Sequence, residues 1–197
     1  MDKYHLHWFT DEIHMHASTA LASYSHLLEL VNDKRSRQSR EVWFVLLTFL
    51  THAAIVSKLL DPIGSGDNKS RGKDLRAHLQ VPDDSAILPR GARDNLEHID
   101  ERIDTWVRRG DIKILEIVLD NREGFEYLCE GDIAIRRVLI RDEMVFISED
   151  RNGHRLETLL QPVFESLKAL HAVCVHKLQT ESPYSYLLAQ ALLNHVR

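Results

Sequence analysis

Arg93 and His98 stand five positions apart, with Asp94 directly after the arginine. Histidine is the side chain that takes up and releases protons near neutral pH. Arginine presents a planar, permanently charged fork to negative charge as it develops. Asp94 falls one helical turn before His98, where a carboxylate can hold an imidazole in one tautomer. A proton carrier, a fixed cation and an orienting carboxylate are the equipment for acid–base chemistry on an anion without a metal. Spacing alone does not single the pair out, since Arg71 and His78 form a similar one. The rival reading makes Asp94, His98 and Arg102 a solvated ladder of charges at helical i, i+4 spacing.

Familiar signatures of other chemistries are missing. The sequence holds no GxxxxGK[ST], GxGxxG, HExxH or GxSxG string and no zinc-type cysteine pairing. The stretch Arg93-Asp94-Asn95-Leu96-Glu97-His98-Ile99-Asp100-Glu101-Arg102, with Trp106 after it, resembles the HEPN family. These are helical proteins whose ribonuclease members carry Arg, a polar residue, three to five others and then His. The resemblance implies an antiparallel helical bundle and a metal-independent endoribonuclease that needs no cofactor. His98 would move the 2'-hydroxyl proton, Arg93 would hold the phosphate and Asp94 would orient His98. It implies too a homodimer, because residues five apart on a helix point about 140° from each other and two protomers would have to pool their motifs. A role in toxin–antitoxin or phage-defence systems, with an antitoxin protein as partner, follows from the same resemblance. A non-catalytic member that binds RNA, nucleotide or a partner is the alternative.

Two further clusters bear on function. Arg71, Lys73, Arg76 and Arg90 lead into the motif, and with Asn95 and Arg102 they are candidates to hold RNA phosphates. Asp67, Asp74, Asp83 and Asp84 dilute that charge, so a solvated loop is an equal reading. Near the N-terminus His7, Asp11 and His14 share a helical face, as do Glu12 and His16, at spacings that suit a divalent metal. The competing reading is an exposed helix face in a chain with 12 histidines. His52, inside an apolar run, is expected to be a hydrogen-bonded core histidine. Trp43, Phe44 and Phe49 are expected in the core and not on a base-stacking platform.

The elements that must position these groups follow from periodicity. Leu6, Phe9, Ile13, Ala17, Ala20, Tyr24, Leu27, Leu28 and Val31 recur at threes and fours, predicting a helix over 2–33, with a restart near Thr10-Asp11-Glu12. Residues 40–60 are apolar on nearly every side, the pattern of a central bundle helix. A short basic helix follows over 69–79, and a long one runs from Arg90 or Gly91 to Val107 with a stripe of Leu96, Ile99, Ile103 and Trp106. Ile- and Val-rich runs at 112–119, 133–140 and 144–148 predict a small antiparallel sheet inserted over about 112–150. Helix resumes over 156–179 and again over 184–196. The expected fold is mainly α, one domain over 1–197.

Bulk properties agree with that frame. An apolar fraction of 44% and a charged fraction of 28% are ordinary for a globular chain long enough to bury a core. A net charge of -5 provides no global attraction to nucleic acid or anionic lipid. Cys129 and Cys174, far apart, suit a reducing compartment, and no run reads as a signal peptide or membrane span, so a cytoplasmic protein is expected.

Overall fold

Nothing in Lys3–Asn32 interrupts a helix: the stretch has neither proline nor glycine, and Asp2 caps it by accepting from the backbone N–H groups of Tyr4 and His5, both at 2.9 Å. In the computed structural model, which describes residues 1–89, 99–110, 113–129, 133–150 and 152–182, it forms one continuous helix, α1. The restart expected at Thr10-Asp11-Glu12 does not occur; Thr10 faces inward and is buried. Ile13, Ala17, Ala20, Tyr24, Leu27 and Val31 make the buried stripe.

Two long helices clasp that stripe, α2 (Arg40–Leu60) and, much later in the chain, Leu160–Thr180. Tyr24 marks their meeting point. Its ring lies 5.1 Å from Phe49 of α2 and 4.5 Å from Phe164 of the later helix, and its hydroxyl donates to Gln161 at 2.7 Å. Stacked aromatics with the polar end satisfied are how a tyrosine is buried at little cost. By length and composition α2 could cross a membrane, but here it is the central helix of the chain's own core. Trp43 and Phe49 are buried as expected, whereas Phe44 is 72% exposed, because a helix apolar all round still turns one side outward.

α3 (Asp67–His78) folds back on the end of α2. Gly72 permits this: a Cβ there would lie 2.5 Å from Pro62 Cδ and 2.8 Å from the Leu60 carbonyl. α4 (Ile99–Arg109) is followed by β1 (Lys113–Leu119), α5 (Arg122–Leu128), β2 (Ile133–Ile140), β3 (Val145–Glu149), β4 (Arg155–Leu159) and α6 (Leu160–Thr180). The expected helices over 2–33, 40–60 and 69–79 are present within a few residues of their predicted ends.

The sheet differs from expectation. Its four strands run in the order β1-β2-β3-β4, but β1 pairs with β2 in parallel, so the sheet is mixed and not antiparallel. Parallel neighbours need a crossover; the short helix α5, absent from the sequence reading, provides it. The sheet also extends past residue 150, since Arg155–Leu159 pairs with β3 before α6 begins. A register shift between Leu115 and Glu116 leaves Arg136 as an extra residue in β2. This bulge changes the alternation along the strand. Ile135, Val138 and Ile140 face a small core with Phe125 of α5, while Leu139 joins the main helical core. Val118 and Phe146 join Leu139 there, so both faces of the sheet are covered.

Candidate functional site

The site is built outward from α4, the helix that the string Arg93–His98 leads into. Asp100 and Glu101 in its first turn and Arg108 and Arg109 in its last complement the helix dipole. Of the expected apolar stripe, Trp106 is buried and Ile103 is 43% exposed, Leu96 lies outside the described residues, and Arg102, four residues before Trp106, also faces inward. The indole N–H of Trp106 donates to Glu149 Oε2 at 3.1 Å, with both side chains buried. A tryptophan whose donor meets a buried carboxylate fixes the helix in register, because slipping would leave both groups without a partner.

Two cavities flank this anchor. One, of about 190 Å³, is enclosed by Leu47 and Thr51 of α2, Arg102 and Trp106 of α4, and Arg137 and Ser148 of the sheet. The bulge at Arg136 sets Arg137 on the side of Leu139, toward the helices. Burial holds its guanidinium below the usual arginine range, and Glu116 opposes that effect. Glu116 lies 3.2 Å from Arg136 and 3.8 Å from Arg137. The other cavity, about 410 Å³ and more polar, is bordered by Arg102, Arg109 and Arg155 together with Glu149, Asp150 and Asn152. This corner concentrates guanidinium groups between α4 and the turn that joins β3 to β4. Chemically it can take a phosphate or carboxylate alongside a flat polar group.

Of the sequence-predicted residues, Arg90, Arg93, Asp94, Asn95 and His98 lie outside the described residues. So does the helix expected over 184–196. Arg71 sits on α3 with its guanidinium 5.0 Å from the Phe9 ring centroid and donates to Asn68 Oδ1 at 3.2 Å. Arg76 donates to the Leu60 carbonyl at 2.7 Å and lies near Asp61 and Asp83. Lys73 is exposed on the same helix. The basic candidates therefore divide, with three on α3 and Arg102 on α4 against the sheet.

The N-terminal histidines do not assemble as a metal site. His14 and His16 point to different neighbours: His14 stacks on His171 of α6 with ring centroids 4.8 Å apart, and His16 meets His52 of α2. His7 borders a cavity of about 110 Å³ with Thr10, His78, Lys177 and Glu181. Among the described residues no three His, Cys, Asp or Glu side chains converge to hold a metal. Glu149 and Arg137 were missed as site residues; only the pairing of strands brings them under α4, and a linear sequence carries no sign of that.

An apolar cavity of about 310 Å³ opens between α2 and α6, lined by Leu50, Ala53, Ala54, Ile87, Pro89 and Val163. The alanines leave the space. No protein-family model, no curated protein and no solved structure matches the chain.

Proposed function

We propose that the protein is a HEPN-like, metal-independent endoribonuclease acting as a homodimer. The observation supporting this reading is that the string Arg93-Asp94-Asn95-Leu96-Glu97-His98 immediately precedes, in sequence, α4, a helix anchored through Trp106 to Glu149 at a corner rich in guanidinium groups. In the proposed reaction His98 takes the proton of a 2'-hydroxyl, and that oxygen attacks the adjacent phosphorus. The 5'-oxygen leaves with a proton, producing a 2',3'-cyclic phosphate and a 5'-hydroxyl. Arg93 balances the charge of the pentacoordinate phosphorus, and Asp94 keeps His98 in the reactive tautomer. Arg102, Arg109 and Arg155 extend the positive corner along which flanking phosphates would run. An antitoxin-type protein partner, as in toxin–antitoxin or phage-defence systems, belongs to the same proposal.

The test is incubation of purified protein with mixed cellular RNA in EDTA, beside an Arg93→Ala/His98→Ala double variant of matched folding. Cleavage by the wild type alone, with cyclic phosphate ends, is the expected outcome. Loss of one general acid–base group lowers such a rate by about 10²–10⁴-fold. Equal cleavage by both proteins, or none by either, would refute the assignment.

One observation favours a binding protein as the second reading. Arg71 and Arg76 are taken up by contacts within the protein, which leaves less free positive charge for a long RNA path. A nucleotide or a partner protein retained equally by wild type and double variant, with RNA cut by neither, is its signature.

A further inference from the structure

Three helices close around α1, and each brings one histidine against it. From α2 comes His52, whose Nδ1 lies 2.6 Å from Nδ1 of His16. From α6 comes His171, stacked on His14 with centroids 4.8 Å apart. From the end of α3 comes His78, which shares the small cavity beside α1 with Lys3, Leu6, His7 and Thr10. The three contacts fall on the N-terminal half of α1, between residues 3 and 16, and ring it from three sides.

The His16–His52 contact limits its own protonation. His16 Nε2 lies 3.1 Å from Glu12 Oε1, an arrangement in which the ring donates to the carboxylate. Nδ1 of a neutral His16 is then an acceptor, and His52 must donate from its Nδ1. That arrangement tolerates one extra proton, shared along the chain of Glu12, His16 and His52. A second would set N–H against N–H at 2.6 Å. In the His14–His171 stack, two imidazolium rings at 4.8 Å would repel each other.

The charges around them can be named among the described residues. His52 faces His16 and, through it, Glu12. His171 faces His14, with Asp11 one turn earlier on α1 and Lys168 one turn earlier on α6. His78 lies 4.0 Å from Glu181 and also faces Lys177, while Lys3 and His7 border the same cavity.

We propose that this ring of histidines is a proton-operated latch, which holds the N-terminal half of α1 on α2, α3 and α6 near neutral pH and loosens it on acidification. The direction agrees with the electrostatics. Burial holds His52, His78 and His171 below the ordinary histidine range, reinforced at His52 by His16, at His171 by His14 and at His78 by Lys177. A histidine whose folded value is depressed binds its proton more readily in the unfolded chain, so stability is full above the unfolded value of about 6.5 and falls as pH drops below it.

The test compares thermal unfolding at pH 7.5 and 5.5 for the wild type and a His52→Gln/His171→Gln variant, whose amides can still hydrogen-bond but do not titrate. The wild type should lose about 3 °C or more beyond the loss of the variant. At pH 5.5, after correction for the slower intrinsic exchange, hydrogen-exchange protection of the wild type should fall in residues 3–16 ahead of the sheet. Equal pH dependence in both proteins, or a loss of protection spread evenly over the chain, would overturn the latch. Should the variant fold poorly, the ring protons of the wild-type histidines decide by NMR titration: midpoints for His52 and His171 at or above 6.5 would overturn it, and midpoints below 6.5 support it.

Discussion

Polar side chains are drawn into the packing in two places, and the two are built on different terms. Around α1 they are histidines, with half-buried His52 paired to buried His16 and half-buried His171 stacked on His14. Beneath α4 they are a guanidinium and a carboxyl group, buried Arg102 and Glu149, with Arg137 close by and Glu149 tied in through the indole of Trp106. The first kind of burial costs little until a proton arrives. The second costs desolvation and is tolerated only where each polar group has a partner. The proposed latch makes the helical core responsive to pH, whereas the α4 corner is held by a hydrogen bond between two buried side chains.

The strongest way to break the comparison is to remove the anchor. Trp106→Ala deletes a buried indole and leaves the Glu149 carboxylate without its donor. Losses for such truncations run about 3–5 kcal/mol, and denaturant unfolding of the variant would read it. Because α4 follows His98 directly in the sequence, the proposed RNA cleavage should fall with it, even under conditions where the variant remains folded. A variant as stable as wild type would mean that α4 does not depend on this contact.

A finer cut separates charge from hydrogen bonding. Glu149→Leu keeps bulk but removes the acceptor from a buried N–H, for a loss of about 1–3 kcal/mol. Glu149→Gln retains an oxygen to accept from Trp106 and should recover most of that loss. If Gln is as damaging as Leu, the negative charge itself is what the arginine corner requires.

How far these features could be read from the sequence depends on how local their causes are. α1 and α2 were legible because a thirty-residue run without glycine or proline, and an uninterrupted apolar run, each specify a helix by short-range spacing. The strands were legible as runs of Ile and Val, but the direction of β1 against β2 was not. It turns on α5, a seven-residue helix with Phe125 as its buried residue and no repeat to announce it. Leu156 and Leu159 fit a helical stripe with Leu160 and Val163 as well as they fit alternation, and pairing with β3 settles the matter. At the site, Arg102 was legible as a candidate from its place after the motif. Its burial was not, because the bulge at Arg136 and the reach of Glu149 across the sheet are long-range consequences of folding. The histidine pairs were half legible: His52 read as a bonded core histidine, but its partner is 36 residues away.

The smallest expected effect provides a control for both kinds of burial. Arg122 at the start of α5 reaches Glu143 on one side and Glu157 on the other, with 2.7 Å contacts to each, while remaining 36% exposed. Those hydrogen bonds, to Glu157 first and Glu143 second, raise the Arg122 guanidinium above its usual range and hold Glu157 below the usual carboxylate range. Water screens the pairs, so Arg122→Ala should cost about 1 kcal/mol or less, and less again in high salt. Its pH signature also differs from that of the latch. A carboxylate with a depressed folded value contributes above its unfolded value near 4.3 and loses that contribution as pH falls through the folded value. The stability difference between wild type and Arg122→Ala should therefore hold steady from pH 8 to 5 and shrink below about 4.5, whereas the histidine contribution is lost already below about 6.5. Unfolding curves of the two proteins across that range measure it, and a difference that vanished between pH 7 and 6 would tie Arg122 to the histidines instead.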